Sequence, residues 1–181
     1  MVDVNGTNLR LNPNDGATLG DPGYTYAAGG MFAGLVPALS GAAYTNNDND
    51  PATGTALFGI DASRNALVQL VNPNGGSANV VATLSGVTAS SISGFDIVTV
   101  GGVNTAFLTA LNPTNALSSL YTLNLTTGAA SLVGQIQVGG GVAGLAIVPA
   151  NSVVPEPGTY ALLATGLAGL GMVARRRRAR S

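Results

Sequence analysis

The string Ser119-Leu120-Tyr121-Thr122-Leu123-Asn124-Leu125-Thr126-Thr127-Gly128-Ala129-Ala130-Ser131-Leu132-Val133 reads as one β-hairpin. Leucine, tyrosine and threonine fill 120–123 and suit a pleated, half-buried surface. Thr126-Thr127-Gly128 turns the chain, and 130–133 runs back along it. The same punctuation recurs upstream. Asn5-Gly6, between Val2-Asp3-Val4 and Thr7-Asn8-Leu9-Arg10-Leu11, is a hairpin signal of type I′. Asn12-Pro13-Asn14-Asp15-Gly16 and Asn72-Pro73-Asn74-Gly75-Gly76 are near copies of one turn. No part of 1–150 shows a helical period with caps, so an all-β body with almost no helix is expected.

Compared with itself, the body repeats at a period of about 50 residues. Thr55-Ala56-Leu57-Phe58 returns as Thr105-Ala106-Phe107-Leu108, and Asn65-Ala66-Leu67 as Asn115-Ala116-Leu117. Gly94-Phe95-Asp96-Ile97-Val98 returns as Gly144-Leu145-Ala146-Ile147-Val148, and Gly41-Ala42-Ala43-Tyr44 is an earlier copy. Each repeat has room for about four short strands, the make-up of a propeller blade. Residues 41–93 and 94–143 are the full repeats; a partial one precedes them at 1–40, and a single strand is expected at 144–149. A propeller closes with at least about four blades, so a partial, N-terminally truncated one is expected. A compact β-sandwich with chance likeness between hairpins is the alternative.

Composition narrows the chemistry. Charged residues are 8% of the 181, against roughly 25% in an average soluble domain. The chain has no Cys, His, Lys or Trp. That excludes a disulfide framework, a thiolate nucleophile, a Cys or His metal site and a Ser-His-Asp triad. The net charge of −1 hides a division. Arg175, Arg176, Arg177, Arg178 and Arg180 stand in the last seven residues; 1–174 keep Arg10 and Arg64 against eight acids, or −6. Such a body repels phosphate, so no nucleic-acid partner is expected.

Residues 159–174 carry no charge and end at Arg175. As a helix they span about 24 Å, slightly short of a hydrocarbon core of about 30 Å. Tyr160 suits one interface, and the Arg cluster is expected to stay cytoplasmic. The organisation expected is a β body at 1–150, a linker at 151–158, a transmembrane helix at 159–174 and a basic cytoplasmic tail at 175–181. A buried core helix with a basic end is the alternative. Within the linker, Val154-Pro155-Glu156-Pro157 is stiff and extended.

Pro155-Glu156-Pro157, a short apolar helix and a terminal Arg cluster, in that order within 153–181, resemble the PEP-CTERM sorting signal. That signal occurs in exported proteins of Gram-negative bacteria that make exopolysaccharide. The resemblance implies export, retention of the precursor at the inner membrane, and recognition at Pro155-Glu156-Pro157 by an exosortase. The body would then reach the cell surface or the medium. Met1-Val2-Asp3-Val4-Asn5-Gly6 has neither the basic nor the apolar region of a signal peptide. An exported chain of this kind is therefore expected to begin further upstream.

The body resembles the bacterial domain of unknown function 4394 over about residues 5–149. The strings that carry the likeness are Asn8-Leu9-Arg10-Leu11-Asn12-Pro13, Gly41-Ala42-Ala43-Tyr44-Thr45-Asn46, Gly94-Phe95-Asp96-Ile97 and 119–130. The resemblance implies a propeller-like β fold and secretion, with members longer at the N-terminus by one or two blade-like units. It supplies no catalytic residue.

Asn46-Asn47-Asp48-Asn49-Asp50 is the densest polar run. Alternating Asx oxygens suit a hard cation, which makes Asp48 and Asp50 candidate Ca2+ ligands. Thr53 and Gly59 stand where an EF-hand needs Gly and Glu, and a solvated Asx-rich turn is the alternative. Asp61 is expected to cap its turn or to form a surface pair with Arg64, which contributes little. Asp96 alternates away from Phe95 and Ile97 and is a candidate channel-facing carboxylate, although the repeat puts Ala146 at the equivalent place. Asp61 with Asp96 is the pair to weigh for glycoside hydrolysis. Gly139-Gly140-Gly141 lacks the lysine of a phosphate loop and reads as a connection between blades.

The functional expectation is a non-enzymatic, exported envelope or matrix protein with no required cofactor, processed by exosortase and associated with exopolysaccharide. The alternatives are a secreted propeller-type hydrolase, with Ca2+ as its cofactor, and a permanently membrane-anchored surface adhesin.

Overall fold

The computed structural model describes residues 2–47, 52–112, 114–148, 165–168 and 175. The chain divides into two compact units, Met1–Pro149 and Ala150–Ser181. In the first unit β1 (Asn8–Leu11) and β2 (Thr18–Asp21) form a two-stranded sheet. A second sheet contains β3 (Thr25–Tyr26), β4 (Leu39–Tyr44), β5 (Leu57–Asp61), β6 (Ala66–Asn72) and β7 (Ser77–Thr83), in the order β3-β7-β6-β5-β4. The third holds β8 (Phe95–Val100), β9 (Val103–Asn112), β10 (Leu117–Leu123) and β11 (Ala130–Gly139), in chain order. Strands β4–β7 and β8–β11 are thus both four-stranded antiparallel meanders; β3 adds to the edge of β7 in parallel. The helical content among the described residues of this unit is a single 3-10 turn, Pro73–Gly75.

Asparagine is frequent because it builds the turns. The side-chain oxygen of Asn12 accepts from the amide of Asn14 at 3.0 Å, and that of Asn72 from Gly75 at 3.0 Å. Asn124 accepts from Thr126 and Thr127 at 2.8 and 3.0 Å, and Gly128 takes a φ of 69° to close the β10–β11 hairpin. Each is an Asx turn, in which the side chain stands in for a backbone acceptor. At Asn5-Gly6 the expected hairpin is corrected. Asp3 captures the amides of Asn5 and Thr7 at 2.9 and 2.8 Å, so a side chain organises the turn. Pairing there reduces to one bridge, Val2 with Asn8, and Asn8–Leu11 pairs instead with β2.

Strand alternation sorts the side chains into two cores. On β6, Leu67 points one way; Ala66, Val68 and Leu70 point the other. Leu67 joins Ala43 and Ile60 against Phe95, Ile97, Ala106, Leu108 and Leu123 of the facing sheet. Ala66, Val68 and Leu70 pack with Leu39 and Ala78 under Tyr24 and Tyr26. Burial of one such leucine contributes about 1.5–3 kcal/mol. The crossover between the sheets is held by Asn65, which donates to the carbonyls of Leu84 and Val87 and accepts from the amide of Ala89.

The two meanders approach each other at a glycine. A Cβ on Gly41 would lie 2.9 Å from that of Phe95, and one on Gly94 would lie 2.9 Å from that of Leu145. The same close approach therefore recurs one repeat later. The single strand expected at 144–149 is corrected: 144–148 belong to no strand. A strand needs a ladder partner, and here the amide of Ile147 goes to the carboxylate of Asp96. No ring of sheets closes among the described residues.

In the second unit 165–168 and 175 are helical. No helix of the described residues is long and apolar enough to cross a membrane, and the span expected at 159–174 lies largely outside them.

Candidate functional site

Asp48 and Asp50 lie outside the described residues, as do Pro155, Glu156, Pro157, Arg176, Arg177, Arg178 and Arg180; Arg175 is exposed. Among the described residues no group of three or more His, Cys, Asp or Glu is placed to hold a metal ion. The start of the Asx run is tethered to the other sheet. Asn46 and Asn104 exchange hydrogen bonds at 2.9 Å in both directions, and Asn47 donates to the carbonyl of Ile97 at 3.0 Å.

Asp61 does cap its turn and does pair with Arg64, but the pair is not at the surface. The Asp61 side chain is fully buried, and Arg64 Nη1 lies 2.9 Å from its Oδ2. The Tyr26 hydroxyl donates to the same oxygen at 2.7 Å. Ser63 donates to Oδ1 through its amide at 2.9 Å and its hydroxyl at 2.7 Å. The Arg64 guanidinium also stacks over the rings of Tyr26 and Phe32. Burial pushes the Asp61 carboxyl up, but the hydrogen bonds from Tyr26, Ser63 and Arg64 and the Arg64 charge outweigh it. The group therefore titrates below the ordinary aspartate value. Burial, together with the Asp61 hydrogen bond and charge, pushes the Tyr26 hydroxyl well above the usual tyrosine range.

Asp96 is engaged by backbone amides through both carboxylate oxygens. Its Oδ1 accepts from the amide of Ile97 at 2.9 Å and its Oδ2 from that of Ile147 at 2.7 Å, so it straps the segment after β11 to β8. Thr109 and Ser118 pin the same segment through Val142. Asp61 and Asp96 are held on separate sheets by separate partners.

A cavity of about 350 Å³ opens between the β1–β2 hairpin and the β4–β5 edge of the second sheet. Arg10 and Asp21 line it as a bidentate pair, with contacts of 2.7 and 2.8 Å. The pair is lopsided in exposure: the Arg10 side chain is 52% accessible and that of Asp21 7%. Asn8 donates to the carbonyls of Pro22 and Pro73 at 3.2 and 2.7 Å, and the Tyr24 hydroxyl donates to Pro73 at 3.2 Å. Burial, with Tyr44 and Asp21 nearby, pushes the Tyr24 hydroxyl up to about 12, so at neutral pH it stays a donor. Sequence reasoning missed this place. The sequence showed a turn at 12–16, but no local signal paired Asn8–Leu11 with Thr18–Asp21 across it or set that hairpin against β4 and β5.

These features define a β protein built of successive meanders, with a C-terminal sorting segment. The family model for Domain of unknown function (DUF4394) matches residues 1–146, and that for the PEP-CTERM protein-sorting motif matches 153–178. The chain belongs to the DUF4394 family. No curated protein and no solved structure matches it. The sorting motif marks an exported protein whose precursor is anchored at a membrane and processed by exosortase.

Proposed function

We propose that the chain is a non-enzymatic envelope or matrix protein of a Gram-negative bacterium, presenting a propeller-like body to exopolysaccharide. The observation that carries this reading is the sorting motif at 153–178, placed directly after a β unit that ends at Pro149. In the precursor, 159–174 form the membrane-spanning helix and the Arg cluster stays cytoplasmic. Exosortase recognises Pro155-Glu156-Pro157, and the released body goes to the cell surface or the medium. The propeller-like reading is supported by two meanders packed face to face and by the recurring approach at Gly41 and Gly94. The non-enzymatic reading is supported by Asp61 and Asp96, whose carboxylates are occupied by hydrogen bonds. Exopolysaccharide follows from the bacteria that use this sorting system.

The test is expression from the native locus, followed by fractionation of wild type and Glu156→Ala. Wild type is expected at the surface or in the medium without its Arg tail, with Glu156→Ala held full-length in the membrane. Equal membrane retention of both overturns processing and favours a permanent anchor.

A further inference from the structure

We infer that the cavity between the β1–β2 hairpin and β4–β5 binds one or two residues of an uncharged glycan. This deepens the proposed function and rests on its exopolysaccharide part. The volume of about 350 Å³ is at the small end of ligand sites, which run from about 300 to 1,000 Å³.

The lining selects the ligand class. Tyr44 is 47% exposed and lies at the cavity with Ala42 and Leu57, which offers an aromatic and aliphatic surface to the C–H face of a sugar ring. Around that surface stand polar groups with no partner among the described residues. The Tyr44 hydroxyl, the Asn74 side-chain amide and Arg10 Nη1 make no hydrogen bond to another described residue. Hydroxyl groups of a sugar both donate and accept, and this set offers both. A purely apolar ligand would bury these groups unsatisfied, at a cost.

Charge decides against an acidic ligand. Arg10 is the cation at the cavity, and its Nε and Nη2 already neutralise Asp21. The body around it is acidic, with seven aspartates against Arg10 and Arg64 over residues 1–150. A uronate or phosphate would therefore meet a paired cation inside a repulsive field.

The frame is preformed. Asn8 and Tyr24 fasten the hairpin side of the cavity to the carbonyl of Pro73, in the turn that carries Asn74. A site held this way loses little freedom on binding.

The experiment is isothermal titration of the full chain, in a detergent without a sugar headgroup. The probes are neutral glucose and galactose tetrasaccharides and an oligogalacturonate of the same length, each up to about 10 mM. A neutral probe is expected to bind. Tyr44→Ala is expected to weaken it roughly tenfold and Asn74→Ala roughly threefold, both with unchanged melting temperature, since both side chains are exposed. Preference for the uronate overturns the inference, as does silence of all probes or wild-type affinity in Tyr44→Ala. The sorting reading has its own test in processing. Normal processing with no glycan binding removes the cavity inference alone, and binding without processing removes the sorting reading alone.

Discussion

Asp61 is a charged side chain with no exposure to water, and its environment explains how it is kept. Removing it as Asp61→Ala leaves the Tyr26 hydroxyl without its acceptor and the Arg64 guanidinium without its carboxylate, with the Val36 carbonyl and the Ser63 hydroxyl still accepting from Nη1. Breaking a buried pair from one side costs about 3–5 kcal/mol, and urea unfolding should show a loss of that size. A loss below about 1 kcal/mol would assign the pair to the class of exposed bridges. Titration gives a second reading. The folded carboxyl titrates below its unfolded value of about 3.9. Its contribution is therefore present above about pH 4 and is lost as pH falls through the lower folded value. Wild type should lose more stability between pH 5 and pH 2.5 than Asp61→Asn, so the gap between them narrows in acid. A constant gap refutes the depressed titration. The pairing with Arg64 was legible, because the two stand three positions apart across a turn. The burial was not, because Tyr26 is brought in from 35 positions away.

At the scale of elements, legibility followed the range of the forces. The hairpin of β10 and β11 was readable because Asn124 and Gly128 build its turn locally. The strand expected at 144–149 failed because a ladder partner is a nonlocal condition. The two-residue β3 had no signal of its own; it is a strand only because the edge of β7 accepts it. The cavity was hidden for the same reason, since Arg10 and Tyr44 meet through packing. Two glycines separate local from nonlocal demands. Gly16 and Gly128 have φ of 73° and 69°, a region that costs a residue with a Cβ about 1–2 kcal/mol. A Cβ on Gly16 meets nothing within 4 Å, whereas one on Gly128 would lie 2.6 Å from the carbonyl oxygen of Thr83. Gly16→Ala should therefore cost the backbone term alone. Gly128→Ala should cost at least about 1 kcal/mol more, because it pushes the hairpin turn off the facing sheet. Equal melting shifts for the two would show that this contact yields freely.

The whole molecule joins an acidic β body to a basic end, and processing parts them. The chain carries −1; residues 1–174 carry −6, and the remaining five Arg carry +5. The division suits the two stages. On the proposed reading, a positive end next to the apolar run holds the precursor in one orientation across a bilayer. A negative body resists association once free. Cleavage beyond Pro157 leaves Arg10 and Arg64 against eight acids, a change of five charges with the folded unit untouched. The processed form should therefore elute later than the precursor from an anion exchanger at pH 7, and focus at a more acidic position. A precursor with all five tail Arg replaced by Gln carries the same charge as the processed form and should elute beside it while still sedimenting with membranes. If the released form instead elutes with the wild-type precursor, the tail has not been removed, and release occurs by another route than cleavage at the Pro-Glu-Pro motif.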